Sequence, residues 1–263
     1  GARAFGVRSG MPIGEAVRRC PKATFVGGEF GAYRRASRKV RGVLEAFAPV
    51  VVMTGLDEGY LDLSGTDLLH PVSLMNFATT IRTAVHQESG LDCSIGIGAN
   101  RMIAKIASDY AKPRGICEVR PGWETGFLAG LPLGALPGIG PRTAERLAAR
   151  GLHQVQVMPF DDLVALLGRD EALALSRRAQ GRGGTRLIRP ERPKSVSRET
   201  TFRRDLRDAR ELDRVLLLLA ARVAGQLRDE QLVAGAVTLK LRYGDFTTLT
   251  RRTTLRPASA LDA

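Results

Sequence analysis

Cysteine is scarce in this sequence: Cys20, Cys93 and Cys117 are the only three in 263 residues, and no two form a CxxC pair. That rules out a disulfide framework and suits a reducing cytoplasm. Long apolar runs are also missing. No stretch approaches the 18 or so residues of a membrane span, and the first residues lack the form of a signal peptide. Lysine is rare as well, supplying only six of the 40 cationic side chains, so the basic character is almost all arginine. Against 27 Asp and Glu the formal charge is +13. The 44% hydrophobic and 25% charged residues are globular proportions, which exclude a mostly disordered chain. The expectation is a basic, cytoplasmic, multi-domain protein that does not enter a membrane.

The charge is uneven. Residues 1–176 hold 20 Arg and Lys against 17 Asp and Glu, whereas residues 177–263 hold 20 against 10. Such a concentration is the footprint expected for a polyanion, most often nucleic acid. A solubilising surface gives the same composition, so composition alone leaves both open. The break falls at 181–194, where Gly and Pro alternate with Arg182, Arg186, Arg189, Arg192 and Lys194. A segment of that kind sustains neither a helix nor a central strand and reads as a linker. The chain opens on Gly-Ala-Arg without Met and stops soon after a strand-like run, as expected for a segment of a longer protein.

Apolar spacing predicts a short helix over 11–20 and a longer one through Tyr33, Val40, Val43, Leu44 and Phe47. Strands are expected at 50–54 and 59–63, a helix at Leu74–Val85, then strand 93–98, helix 100–111 and strand 115–119. Turns of antiparallel style between these elements predict an α+β sheet with helices on one face. Residues 124–180 read as helices in short pieces. Beyond the linker, a strand over 195–203, a helix over 209–228 and two strands joined at Gly244-Asp245 predict a separate small α+β unit.

Three local patterns carry chemistry. Asp57-Glu58 lies between apolar runs, and carboxylates beside a buried sheet are costly unless they meet positive charge. Neighbouring strand residues face opposite ways, so both reach one cation only where the chain bends, which Gly55 and Gly59 permit. Hard oxygen ligands of this kind suit Mg²⁺ or Mn²⁺; a charged hairpin turn is the plainer alternative. A two-metal site needs a further carboxylate, and Asp62 is expected to face away. Lys105 and Lys112, seven apart on one helical face, suit either a triphosphate or ordinary solvent exposure. Gly96-x-Gly98 lacks the third glycine and the GK[ST] of the standard phosphate loops and is rejected as one. Leu136-Pro-Gly-Ile-Gly140 fits a helix-hairpin-helix, in which Gly138 and Gly140 expose backbone N–H groups to a phosphate and Arg142 adds charge; a merely structural helix-turn-helix is the alternative.

Taken in order, these segments resemble the Y family of translesion DNA polymerases in its bacterial DinB-type branch, over essentially the whole chain. The residues that carry the resemblance are Ala2–Ile13, Leu56–Leu63, Cys93–Gly115, Leu136–Gly140 and Lys194–Phe202. It implies a ferredoxin-like palm at 31–120, a fingers remnant at 1–30, and a small all-α helix-hairpin-helix thumb at 121–180. The linker at 181–194 then leads to a partial α+β little finger at 195–263. Template-directed nucleotidyl transfer with two Mg²⁺ ions is implied, Mn²⁺ substituting. Asp57 and Glu58 would be the metal ligands, Glu58 also the catalytic carboxylate. Arg3 and Lys112 would hold the incoming dNTP triphosphate. Gly138, Gly140, Arg142, Ser195, Arg198, Thr200 and Arg203 would hold the backbone of primer-template DNA.

The resemblance also places a first metal-binding Asp and a ribose-discriminating aromatic upstream of Gly1, and a sliding-clamp-binding tail beyond Ala263. The 263 residues alone are therefore expected not to polymerise. Gly55 and Gly59 stand where the family usually has Ser and Ala. Two rivals are a non-catalytic mutasome accessory protein of the same fold, which would lack the metal carboxylates, and a helix-hairpin-helix DNA-binding or nuclease protein, which would lack the palm signature. The charge distribution makes one prediction: log Kd against log salt should rise by about 0.9 per phosphate neutralised on duplex DNA. Deleting 181–263 should flatten that slope, and an unchanged slope in a filter-binding assay would place the footprint elsewhere.

Overall fold

The computed structural model describes residues 1–66, 72–155, 159–187 and 193–260. The chain divides into two compact units, Gly1–Arg189 and Pro190–Ala263, and the middle of the expected linker, 188–192, lies outside the described residues.

The first unit opens with a 3-10 turn, Ala2–Phe5, then α1 (Ile13–Arg19) and α2 (Phe30–Glu45). Strands β1 (Val50–Met53) and β2 (Gly59–Asp62) form an antiparallel hairpin in which Met53 pairs with Gly59 and Val50 with Asp62. Helix α3 (Leu74–Ser89) follows, begun by the Ser73 hydroxyl, which accepts from the Asn76 N–H, and ended by Gly90 in left-handed backbone. Its buried Phe77, Ile81 and Val85 meet Leu44 near the end of α2, Ala48 just after it and Val51 of β1, with Phe47 edge-on to Phe77. This is the stripe the sequence spacing predicted, and it forms the first core.

Strand β3 (Ile95–Ile97), helix α4 (Arg101–Tyr110) and strand β4 (Ile116–Glu118) form a β-α-β unit with β3 and β4 parallel. The antiparallel arrangement expected here is not met, because a ten-residue helix between the strands carries the chain back to run in the same direction. Among the described residues the four strands pair two by two, β1 with β2 and β3 with β4. Helix α4 lies against β3 so closely that a Cβ on Gly96 would meet backbone atoms of Ala104 and Ser108, and one on Gly98 would meet Ile103. The Gly-x-Gly rejected above as a phosphate loop is therefore a packing device.

The inner face of α4 (Ile103, Ile106, Ala107) belongs to the second core, shared with Leu128 of α5 (Glu124–Ala129) and Leu133 of the 3-10 turn Leu133–Ala135. Leu147 of α6 (Pro141–Ala148), Leu163 of α7 (Phe160–Leu167) and Leu175 of α8 (Arg169–Ala179) complete it. The start of the expected linker is tied down. Asn100 caps α4 through its Oδ1, which accepts from the Ile103 N–H, while its Nδ2 donates to the Gly181 carbonyl at 2.8 Å. The Arg101 N–H reaches the Gly184 carbonyl at 3.4 Å.

The second unit contains α9 (Ala209–Asp229) and a long antiparallel hairpin of β5 (Ala234–Arg242) and β6 (Thr248–Ser259). The strand expected over 195–203 does not form: the segment pairs with no strand among the described residues, and β5 and β6 pair only with each other. Alternating polar residues are compatible with a strand, but a ladder also needs a partner edge.

Gly96→Ala should cost about 1–3 kcal/mol, because the added methyl has only backbone to displace. Gly42→Ala in mid-α2 has nothing within 4 Å and should be neutral or stabilising. Urea midpoints of the two variants check the contrast, and equal midpoints would deny the close contact.

Candidate active site

Asp57 and Glu58 occupy the second half of the loop between β1 and β2, just before β2 begins at Gly59. The loop is pinned by the Glu58 carbonyl, which accepts from the Thr54 N–H at 2.9 Å and the Gly55 N–H at 3.4 Å. Both carboxylates thus sit at a bend, which frees them from the alternation of a regular strand. Gly59 has its own requirement, since a Cβ there would stand 2.8 Å from the Met53 sulfur.

The bend faces α4. Glu58 Oε1 accepts a short hydrogen bond from Lys105 Nζ across 47 residues of sequence. Lys105 Nζ is also 3.5 Å from Asp109 Oδ2, one turn along, and Lys112 Nζ donates to Asp109 Oδ1 at 2.5 Å. Four charges therefore alternate in sign from the hairpin loop along α4 to Lys112 in the turn just past its C-terminal end, at sequence spacings of four and three after Lys105. Burial works against the Lys105 ammonium, but its hydrogen bond with Glu58 and the charges of Asp109 and Glu58 outweigh it and hold its pKa above the ordinary lysine value. Burial likewise opposes the Asp109 carboxylate, and Lys112 and Lys105 prevail, holding it below the usual range. Beside the bend, the Arg101 guanidinium lies 4.8 Å from the ring centroid of Tyr60, and its Nε is buried with no hydrogen-bond partner.

Adjacent carboxylates in a bend supply hard oxygen donors of the kind Mg²⁺ and Mn²⁺ take. By themselves they are two donors: among the described residues no cluster of three or more His, Cys, Asp or Glu could hold a metal. Asp62 is committed elsewhere, its Oδ1 accepting from the Ser64 N–H at 2.9 Å. Hydrogen bonding to Ser64 holds its pKa below the usual carboxylate range. Arg3 stands exposed in the 3-10 turn and, among the described residues, makes no hydrogen bond or ion pair with the charge chain on α4.

The hairpin turn is built from Pro137, Gly138 in left-handed backbone at φ 91° and Gly140 as the N-cap of α6, with Pro141 at the first helical position. Ahead of it the chain makes only the six-residue α5 and a 3-10 turn, so the first helix of the expected motif is split. Arg142 is exposed in the first turn of α6. Arg178 of α8 holds the turn from behind, donating to the carbonyls of Pro137 at 2.5 Å and Ala174 at 3.2 Å. In the second unit, Ser195, Arg198, Thr200 and Arg203 are all exposed on the unpaired extended segment.

Lys105 is singled out in the sequence with Lys112 for a triphosphate or plain solvent exposure, but not for its contact with Glu58; Arg101 against Tyr60 and Arg178 behind the turn were not among the expected site residues. Lys105 and Asp109 do carry a signal, an i,i+4 opposite-charge pair, but nothing local reveals which strand loop that face meets. Among the described residues, no helix is long and apolar enough to cross a membrane.

Residues 1–109 match the model of the impB/mucB/samB family, and residues 193–263 match that of its C-terminal domain. The DNA polymerase IV of Dehalococcoides mccartyi (strain CBDB1) is 40% identical over 262 residues, covering 98% of this chain and 67% of the relative. That of Halorhodospira halophila is 41% identical over 255 residues, covering 95% of this chain and 71% of the relative. The chain belongs to the Y family of DNA polymerases. Its Y-family relatives are DNA-directed DNA polymerases, and it spans about two thirds of the length of the two just described. The Y-family fold is shared by a polymerase chimera built on Dbh, with a TM-score of 0.79 and 24% identity over 97% of this chain and 74% of that one. The insertion ternary complex of Dbh DNA polymerase matches at a TM-score of 0.68 and 23% identity, over 98% of this chain and 75% of that one. The Asp57–Glu58 loop and most of α4 lie within the first matched region.

Proposed function

We propose that this chain is the catalytic and DNA-gripping part of a translesion DNA polymerase that adds dNTPs to a primer 3′-hydroxyl under the direction of a template. The observation that carries the reading is the Asp57–Glu58 pair raised on a hairpin bend, with Glu58 paired to Lys105 of α4. Asp57 and Glu58 would hold divalent metal, Mg²⁺ or Mn²⁺, with a further carboxylate from elsewhere in the enzyme. When bound, the metal lowers the pKa of the primer hydroxyl and neutralises charge on the phosphates.

The chain's own residues supply positioning and counter-charge. Lys112, at the far end of the charge chain, and Arg3, on its exposed turn, are the cations assigned to the triphosphate. They neutralise the charge that builds as pyrophosphate leaves. The Gly138–Gly140 turn and Arg142 grip DNA through its phosphates, without reading bases. Ser195, Arg198, Thr200 and Arg203 track the backbone along an extended segment. The β5–β6 hairpin adds a further face for gripping the backbone. There Lys240, Arg242 and Arg252 share a face with Thr238, Thr248, Thr250 and Thr254, while Val237, Leu239, Leu241 and Leu249 take the other side together with Arg251 and Thr253. A sliding clamp would be met through a tail beyond Ala263. A non-catalytic accessory role is disfavoured by the presence of both carboxylates.

Glu58→Gln in the full-length protein should lower single-nucleotide incorporation by at least about a hundredfold. The side chain is half exposed, so the circular dichroism melt should not move. Incorporation at the parent rate would remove Glu58 from the catalytic role.

A further inference from the structure

The ion pair between Glu58 and Lys105 poses a problem that the polymerase reading does not address: a carboxylate assigned to a metal already has a cation on it. Lys105 is the least exposed of the four charged side chains, at 29% against 49% for Glu58, 47% for Asp109 and 60% for Lys112. An ammonium that has lost much of its water must keep an anionic partner. If Glu58 is taken from it, the nearest replacement is Asp109 Oδ2, already within 3.5 Å and one helical turn away. The four-carbon stem of lysine allows the ammonium to swing between the two without moving the helix.

We propose that Lys105 is a positioning residue that competes with the metal for Glu58, and that Asp109 is its second seat. Loading a divalent cation onto Glu58 moves the ammonium along α4 to Asp109. Asp109 already faces Lys105 through Oδ2 and Lys112 through Oδ1; as the Lys105 ammonium closes on it, its hold on Lys112, now at 2.5 Å, weakens in favour of an incoming triphosphate. Metal and nucleotide sites are thereby coupled through α4 and the turn that follows it. This rests on the reading of Asp57 and Glu58 as metal carboxylates.

The test is direct binding of Mn²⁺ alone to the full-length protein, with no DNA or nucleotide, followed by the electron paramagnetic resonance signal of free Mn²⁺. Lys105→Met should tighten binding by roughly fivefold, the size of a strong exposed ion pair. Lys105→Arg should stay near the parent. Asp109→Asn should weaken binding by a similar factor, because the displaced ammonium has no second seat. In the Lys105→Met background the Asp109→Asn change should have no effect. Weaker or unchanged binding in Lys105→Met, or an Asp109→Asn effect that persists without Lys105, overturns the proposal. Glu58→Gln separates the layers. If that variant binds Mn²⁺ like the parent, the metal reading itself falls and takes the proposal with it. If Glu58→Gln weakens binding but the Lys105 variants do not shift it, only the proposal falls.

Discussion

Helix α4 can lie on β3 only because residues 96 and 98 carry no side chain. A Cβ at Gly96 would meet the backbone of Ala104 and Ser108, atoms that cannot turn aside. From this contact the rest of the first unit takes its bearings. One face of α4, through Ile103, Ile106 and Ala107, is locked into the core it shares with α5 to α8. Its first turn, through Asn100 and Arg101, holds the segment at Gly181 and Gly184. The face that carries Lys105 and Asp109 meets the Asp57–Glu58 bend. A buried helix pinned on this many sides can set side chains at a reacting centre to within a fraction of an ångström, as catalysis by positioning requires.

The electrostatics divide along the same lines. Asp57 and Glu58 sit where a bend releases them from the sheet, and Lys105 of α4 answers Glu58, followed in alternation by Asp109 and by Lys112 past the helix end. The surplus positive charge lies elsewhere, in the segment after 176 and on the polar face of the β5–β6 hairpin. One region holds acids and bases near balance and another carries the surplus positive charge; in the proposed reading the first serves metal and triphosphate and the second a polyanion. The turn at Gly138 stands between these roles in sequence, with Arg178 closing its back.

Much of this was legible before any coordinates. The apolar stripes of α2 and α3, the carboxylate bend flanked by glycines and the Gly138–Gly140 turn are local patterns, and local patterns survive in a sequence. What was lost is non-local. The parallel pairing of β3 with β4 rests on strands of three residues, too short to carry an alternation that names a partner. Residues 195–203 look like a strand because polar residues alternate, yet a ladder needs an edge that no local pattern specifies. The Glu58–Lys105 contact spans 47 residues, and Lys105 reads as an ordinary surface lysine until the fold sets it against the bend. Gly96 is rejected from sequence as part of a phosphate loop, but its steric role is not legible there because it depends on a helix that arrives later in the chain.

The central claim is that α4 on β3 is the fixed reference of the first unit and the Asp57–Glu58 bend is presented to it. Amide hydrogen exchange tests this most directly. The buried amides of Ile103, Ile106 and Ala107 in α4 and those of β3 should exchange only through global unfolding of the first unit. The loop 54–58 should open at much lower free energy. Exchange of α4 by local opening, with the α2 and α3 amides still protected, would contradict the account.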